Sequence, residues 1–120
     1  MSAILVHVTH GSESPTRAAL AFLVARTALN EGHQVSMFLA GDAAVLIRDS
    51  VLDNLTGQGT GRLREHFDAL AAGGCRFYVS GMSAKARGVG EAELAGKPAE
   101  FAMPEALVRL SLSHDRMFNY

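Results

Sequence analysis

The feature that most constrains this fold is a repeated alternation of short apolar runs with helical segments. Ala3–Thr9 is apolar and rich in β-branched residues, without a clean polar alternation. Such a run is typical of a strand covered on both faces in a parallel sheet. A helix is predicted next, from Pro15 to about Glu31. Ser14 is expected to cap its first amides, and Gly32 is expected to end it in the left-handed conformation.

The same alternation continues along the chain. Further strands are predicted over Val35–Ala40, Cys75–Ser80, Ala99–Met103 and Arg116–Tyr120, and further helices over Arg62–Ala72, Ala84–Arg87 and Pro104–His114, with a short helix capped by Asp42 and ending at Ile47. Residues 48–61 are the least regular. Within them Gly57–Gly61 is expected to be a flexible loop, because it lacks the Gly-Lys-Ser/Thr ending of a phosphate loop. Right-handed crossovers then predict one α/β domain over residues 1–120, a three-layer α/β/α sandwich with a mainly parallel sheet of about five strands.

The first helix carries more apolar surface than one sheet face can cover. Ala18, Phe22, Ala25 and Leu29 form one apolar row, and Leu20, Val24 and Ala28 form a second. A surface helix needs a single stripe against the core. Charged residues are also scarce, at 19% of the chain against about 25% in an average domain. Both observations predict a second covering layer, most simply another copy in a homo-oligomer.

Charge and cysteine content exclude several classes of function. The net charge is −1, and the 11 basic residues are mixed with 12 acidic ones, so no basic stripe is available for nucleic acid. No apolar stretch approaches the roughly 20 residues needed to cross a bilayer. One cysteine, Cys75, cannot form an internal disulfide, which favours a cytoplasmic protein. The five histidines lack metal-ligand spacing, so neither a metal nor a cofactor is expected.

Ligands of parallel sheets bind outside the carboxyl ends of the strands. Three predicted loops lie there, His10–Ser14, Gly41–Asp42 and Ser80–Gly88, and they are called the rim below. The rim contains the residue types of a Ser-His-Asp triad in His10, Asp42 and Ser80. The Gly-x-Ser-x-Gly nucleophile elbow is missing, and Ser80 or Ser83 capping the following helix is the simpler interpretation. A hydrolase using Ser80 stays open as the third hypothesis.

The motifs that end the strands resemble those of a known family. They are Thr9-His10-Gly11, Phe38-Leu39-Ala40-Gly41-Asp42 and Ser83-Ala84-Lys85-Ala86-Arg87-Gly88. In order and spacing they are similar to the DsrE/DsrF-like family of small sulfur-relay proteins, from Ile4 to Phe118. The resemblance implies a parallel sheet and assembly as a trimer or hexamer.

The resemblance also implies where sulfur would be carried. Active relatives use a cysteine seven residues before the Arg-Gly pair, and many have another three residues later. Those positions here are Ser80 and Ser83, and a hydroxyl cannot form the S–S bond of a persulfide. Cys75 lies five residues before Ser80, which is roughly 16 Å along a strand. A structural role is expected for it, and a sulfur carrier using Cys75 is the main alternative.

The leading hypothesis is a non-catalytic binding or assembly role in or near sulfur metabolism. The rim would bind a small anion or a sulfur-relay partner protein, since its serines, backbone amides and basic side chains are suitable donors. The candidate binding residues are His10, Gly11, Asp42, Ser80, Ser83, Lys85 and Arg87.

Overall fold

The computed structural model describes all residues from Met1 to Tyr120 and contains a five-stranded parallel sheet. Its strands are β1 (Ala3–Val8), β2 (Gln34–Leu39), β5 (Arg76–Ser80), β6 (Ala99–Ala102) and β7 (Arg116–Asn119), in the order β6-β5-β2-β1-β7. Every neighbouring pair in this sheet is parallel. The predicted α/β class and parallel sheet are confirmed.

Helices lie on both faces of the sheet. They are α1 (Pro15–Asn30), α2 (Asp49–Asn54), α3 (Leu63–Ala72), α4 (Gly81–Ala86) and α5 (Pro104–Ser113), with short 3-10 helices at Gly41–Ile47 and Glu91–Leu94. The chain steps in one direction from β1 to β2, β5 and β6, then returns across the sheet to β7. Right-handed crossovers therefore put α5 on the face opposite α1 and α3. None of these helices is both long and apolar enough to span a membrane.

The core lies between the sheet and α1. Alternate residues of β1 (Ile4, Val6 and Val8) are buried in one cluster with the inner side of α1. Phe77 of β5 packs between two helices there, with ring centroids 6.1 Å from Phe22 and 4.8 Å from Phe67. Leu5 and Phe38 are also buried but belong to the opposite face.

The segment 48–61 is more regular than its sequence pattern predicted. It holds α2 and a small antiparallel hairpin of β3 (Thr56–Gly57) and β4 (Gly61–Arg62). Gly57 is buried against α1, where a Cβ would overlap Thr60 and crowd Ala19. The expected flexible loop was wrong, because the glycines serve close packing and a turn with positive φ at Gly59.

Two predicted helix caps also differ from the structure. Ser14 occupies the cap position of α1, but its side chain accepts no capping hydrogen bond. Asp42 lies inside the first turn of the 3-10 helix, and the cap position there is Ala40. The carboxylate of Asp42 instead pairs with Arg87, which comes from a distant part of the chain. Gly32 does adopt the predicted left-handed conformation, with φ +92°.

The two apolar rows of α1 have different surroundings. The first row is buried at Ala18, Phe22 and Ala25. In the second, Ala28 is buried while Leu20 and Val24 remain half-buried. The flank that carries Ala19 packs on the β3–β4 hairpin, and α3 lies against α1 as well. These contacts lie on the flank of Ala19, so they leave Leu20 and Val24 of the second row partly exposed.

Candidate functional site

The three loops predicted to form the rim meet at the carboxyl ends of β1, β2 and β5. Gly11 packs against the backbone of Asp42 so closely that a Cβ at this position would overlap the Asp42 carbonyl oxygen. The amide of Gly41 donates to Ser83 Oγ over 2.8 Å. Backbone contact and hydrogen bonding thus hold the loops of the rim together.

The two serines at the suggested carrier positions both have structural partners. Ser80 is the N-cap of α4, and its Oγ accepts a hydrogen bond from the Ser83 amide over 3.2 Å. Its exposed fraction is only 8%. The predicted capping by Ser80 is confirmed, and the capping alternative for Ser83 is replaced by its bond to Gly41.

The positive charge of Arg87 is compensated within the chain. Its guanidinium donates to Asp42 Oδ1 over 2.8 Å and to the Ser83 carbonyl over 3.1 Å. Lys85 is exposed and takes part in none of the ion pairs. Lys85, and not Arg87, is therefore the free cation of the rim.

His10 lies at the outer side of the rim. Its ring pairs with Arg17 over 2.9 Å and with Glu13 over 3.5 Å. It makes no hydrogen bond to Ser80, and Asp42 is occupied by Arg87. The three residue types of a hydrolytic triad are present, but the structure does not assemble them as a triad.

Cys75 lies at the other end of β5, just before its first residue. The side chain is fully buried in the core, and burial raises the pKa of the thiol from 9.0 to about 12. The reactive form of cysteine is the thiolate. Cys75 is thus both inaccessible and protonated at neutral pH.

Sequence reasoning missed two features of this site. Arg48, directly after the 3-10 helix Gly41–Ile47, donates to the Arg87 carbonyl over 2.9 Å and to Glu93 over 2.9 Å. These bonds fasten the segment after α4 to the end of that helix. Met82 of α4 and Met103, whose sulfur lies near Gly81, are 61% and 49% exposed. No local signal marks the Arg48 contacts, whereas the apolar Met82 beside Lys85 was visible in the sequence. No group of three or more His, Cys, Asp or Glu residues is placed to hold a metal ion.

Comparison with known proteins adds a family and a fold. Residues 2–120 match the model of the DsrE/DsrF-like family. Among solved structures, the crystal structure of the ychN protein from E. coli superposes with a TM-score of 0.76, at 16% identity, over 100% of both chains. No curated protein matches the sequence. The likeness to the ychN protein concerns the fold alone.

Proposed function

The chain belongs to the DsrE/DsrF-like family, and we propose that it acts in sulfur relay as a non-catalytic member that binds a partner protein at the rim. The observation that carries this proposal is the chemical difference between the two ends of β5. Ser80, where the family resemblance leads us to expect the sulfur carrier, caps α4, while the single thiol is buried at the opposite end of the strand. Such a chain can bind a sulfur-relay protein without carrying sulfur itself.

The rim offers a surface suited to a protein partner. Met82 and Lys85 lie three residues apart on α4 and are both exposed, and the exposed Met103 has its sulfur close to Gly81 at the start of the same helix. Flexible methionine side chains are common at protein-binding surfaces, and the free ammonium of Lys85 suits an acidic partner. A small anion is the weaker ligand, because the guanidinium of Arg87 is already paired with Asp42.

Self-assembly and location belong to the same proposal. The low charged fraction of 19% and the half-buried Leu20 and Val24 of α1 support a homo-oligomer, a trimer or hexamer. The free, unpaired Cys75 fits a reducing compartment, and we place the protein in the cytoplasm.

Mass spectrometry after incubation with a persulfide donor tests the non-catalytic part. We expect the parent chain to gain no sulfur and Ser80→Cys to gain one sulfur atom. Sulfur on Cys75 of the folded parent would overturn the proposal in favour of the carrier alternative. An ester-substrate screen of the parent against Ser80→Ala tests the hydrolase alternative, and we expect no activity that depends on Ser80.

Capture of sulfur-relay proteins from a cell extract tests the rim. Met82→Asp and Lys85→Glu should each lose the captured relay protein, and Ala72→Asp, an exposed change at the end of α3, should retain it. Equal capture by the rim variants and the control would place binding elsewhere. Titration with thiosulfate in a calorimeter checks the anion alternative separately, and saturable binding that Lys85→Glu abolishes would favour it.

A further inference from the structure

The outer face of α5 combines exposed apolar side chains with two unpaired charges. Val108 and Leu112 are 59% and 81% exposed. Glu105 and Arg109 are exposed on the same face, since residues three and four apart are neighbours on a helix. Neither Glu105 nor Arg109 takes part in an ion pair or side-chain hydrogen bond within the chain. The four residues form one ridge, called the α5 ridge below.

Exposed apolar surface is concentrated at this ridge. Six large hydrophobic side chains of the chain are exposed, and three of them, Met103, Val108 and Leu112, lie on α5 or directly before it. No residue of α5 is fully buried, although the helix covers the face of the sheet opposite α1. The core beneath it therefore does not explain why two large aliphatic side chains project outward.

We infer that the α5 ridge docks on the same ridge of a second copy, with the two helices antiparallel about a two-fold axis. In such a contact each residue meets the partner's residue at the mirrored position. An axis near residue 107 sets Glu105 opposite Arg109 of the second copy, and the reverse pair forms by symmetry. The ridge is thus complementary in charge to itself.

The same register also brings the apolar side chains of the two ridges into contact. Val108 lies within about one residue of the axis, or roughly 1.5 Å along the helix, so the two valines meet at the centre. Leu112 lies over the start of the partner helix, where Pro104 is exposed. An apolar centre flanked by two ion pairs is the arrangement expected of a specific interface.

This inference rests on the proposed self-association and sharpens it. A two-fold contact requires an even number of copies, so it is compatible with a dimer or a hexamer. A closed three-fold ring alone contains no such contact. The role proposed for the rim does not depend on it.

Charge exchange across the axis is the decisive experiment. Glu105→Arg alone, or Arg109→Glu alone, puts like charges opposite each other twice, and we expect each to weaken association about tenfold or more in light scattering. The double variant Glu105→Arg/Arg109→Glu restores opposite pairs and should return to within about threefold of the parent. Circular dichroism on heating confirms that each variant is folded.

Cross-linking locates the axis independently. Val108→Cys should form a disulfide between copies on mild oxidation, while Ala72→Cys, exposed on α3 on the other side of the sheet, should not. Folded single-charge variants that associate like the parent, a double variant weaker than either single one, or a parent that is a plain trimer would overturn the inference. A monomeric parent would overturn both the inference and the proposed assembly. Sulfur loading and partner capture test the rim apart from these outcomes.

Discussion

The two ends of β5 differ in chemistry although they are only five residues apart. At the amino end, Cys75 is fully buried in the apolar core. At the carboxyl end, Ser80 lies among three loops joined by backbone packing, hydrogen bonds and an ion pair. In a parallel sheet, ligands bind outside the carboxyl ends of the strands, so a side chain at the carboxyl end of β5 can meet a ligand. The single thiol is thus buried at the amino end of the strand, and a hydroxyl group occupies the end where ligands of parallel sheets bind.

Moving the thiol from one end to the other should have the largest effect. Ser80→Cys places a thiol where the Ser83 amide, 3.2 Å from the present Oγ, can donate to a thiolate, so its pKa should fall below about 8.5. Since the pKa of Cys75 is about 12, alkylation should be on the order of a thousandfold faster at the new thiol. Mass spectrometry of iodoacetamide-treated protein measures both sites at once.

An exposed serine provides the control for this change. Ser50→Cys on α2 should alkylate at the rate of an ordinary cysteine. If the thiol introduced at position 80 of a folded variant reacts no faster than Cys75, the expected difference in thiol reactivity between the two ends of β5 would be contradicted.

Gly11→Ala tests the packing of the carboxyl end. The added Cβ would overlap the Asp42 carbonyl oxygen, which belongs to backbone and cannot turn aside. We expect a loss of about 1–3 kcal/mol in the free energy of unfolding, measured by urea denaturation. The control is Gly90→Ala, where φ is −106° and no atom lies within 4 Å of the added Cβ. A tolerated Gly11→Ala would mean that the loops can separate freely.

Cys75→Ala tests the amino end. Loss of one buried sulfur should cost about 1 kcal/mol and leave partner capture unchanged. The parent thiol also links stability to pH. Because its folded pKa is raised, its stabilising contribution is complete below pH 9 and is lost as the pH rises to about 12. The alanine variant should therefore show a flatter decline in stability over that alkaline range. Identical decline in both proteins would contradict the burial argument.

Asp42→Asn is expected to have the smallest effect. Its side chain is 58% exposed and that of Arg87 is 32% exposed, so breaking the ion pair should cost less than about 1 kcal/mol. Raising the salt concentration should reduce the difference between parent and variant. A loss as large as that of Gly11→Ala would mean that charge, and not close packing, holds the rim together.

Local patterns predicted the regular elements well because they depend on neighbours along the chain. The apolar runs became strands, and Pro15 and Gly32 bracket α1 as their conformations require. The short α4 was placed too late, at Ala84 instead of Gly81, because Ser80 and not Ser83 provides its cap. Similarly, Cys75 was predicted as part of the strand but precedes it. The hairpin in 48–61 was missed because Gly57 owes its burial to α1, about 40 residues earlier.

The sequence by itself determined the α/β class, the parallel sheet and the separation of Cys75 from the rim, because periodicity and strand direction follow from local residue order. Only the tertiary structure decided which rim groups are free. Asp42 with Arg87 and Gly41 with Ser83 are each more than 40 positions apart, and no local pattern records such pairs. Tertiary packing also decided that the α5 ridge remains exposed while α1 is largely covered. Amphipathic spacing indicates that a helix has an apolar face, but the layers that cover it are set by contacts between distant segments.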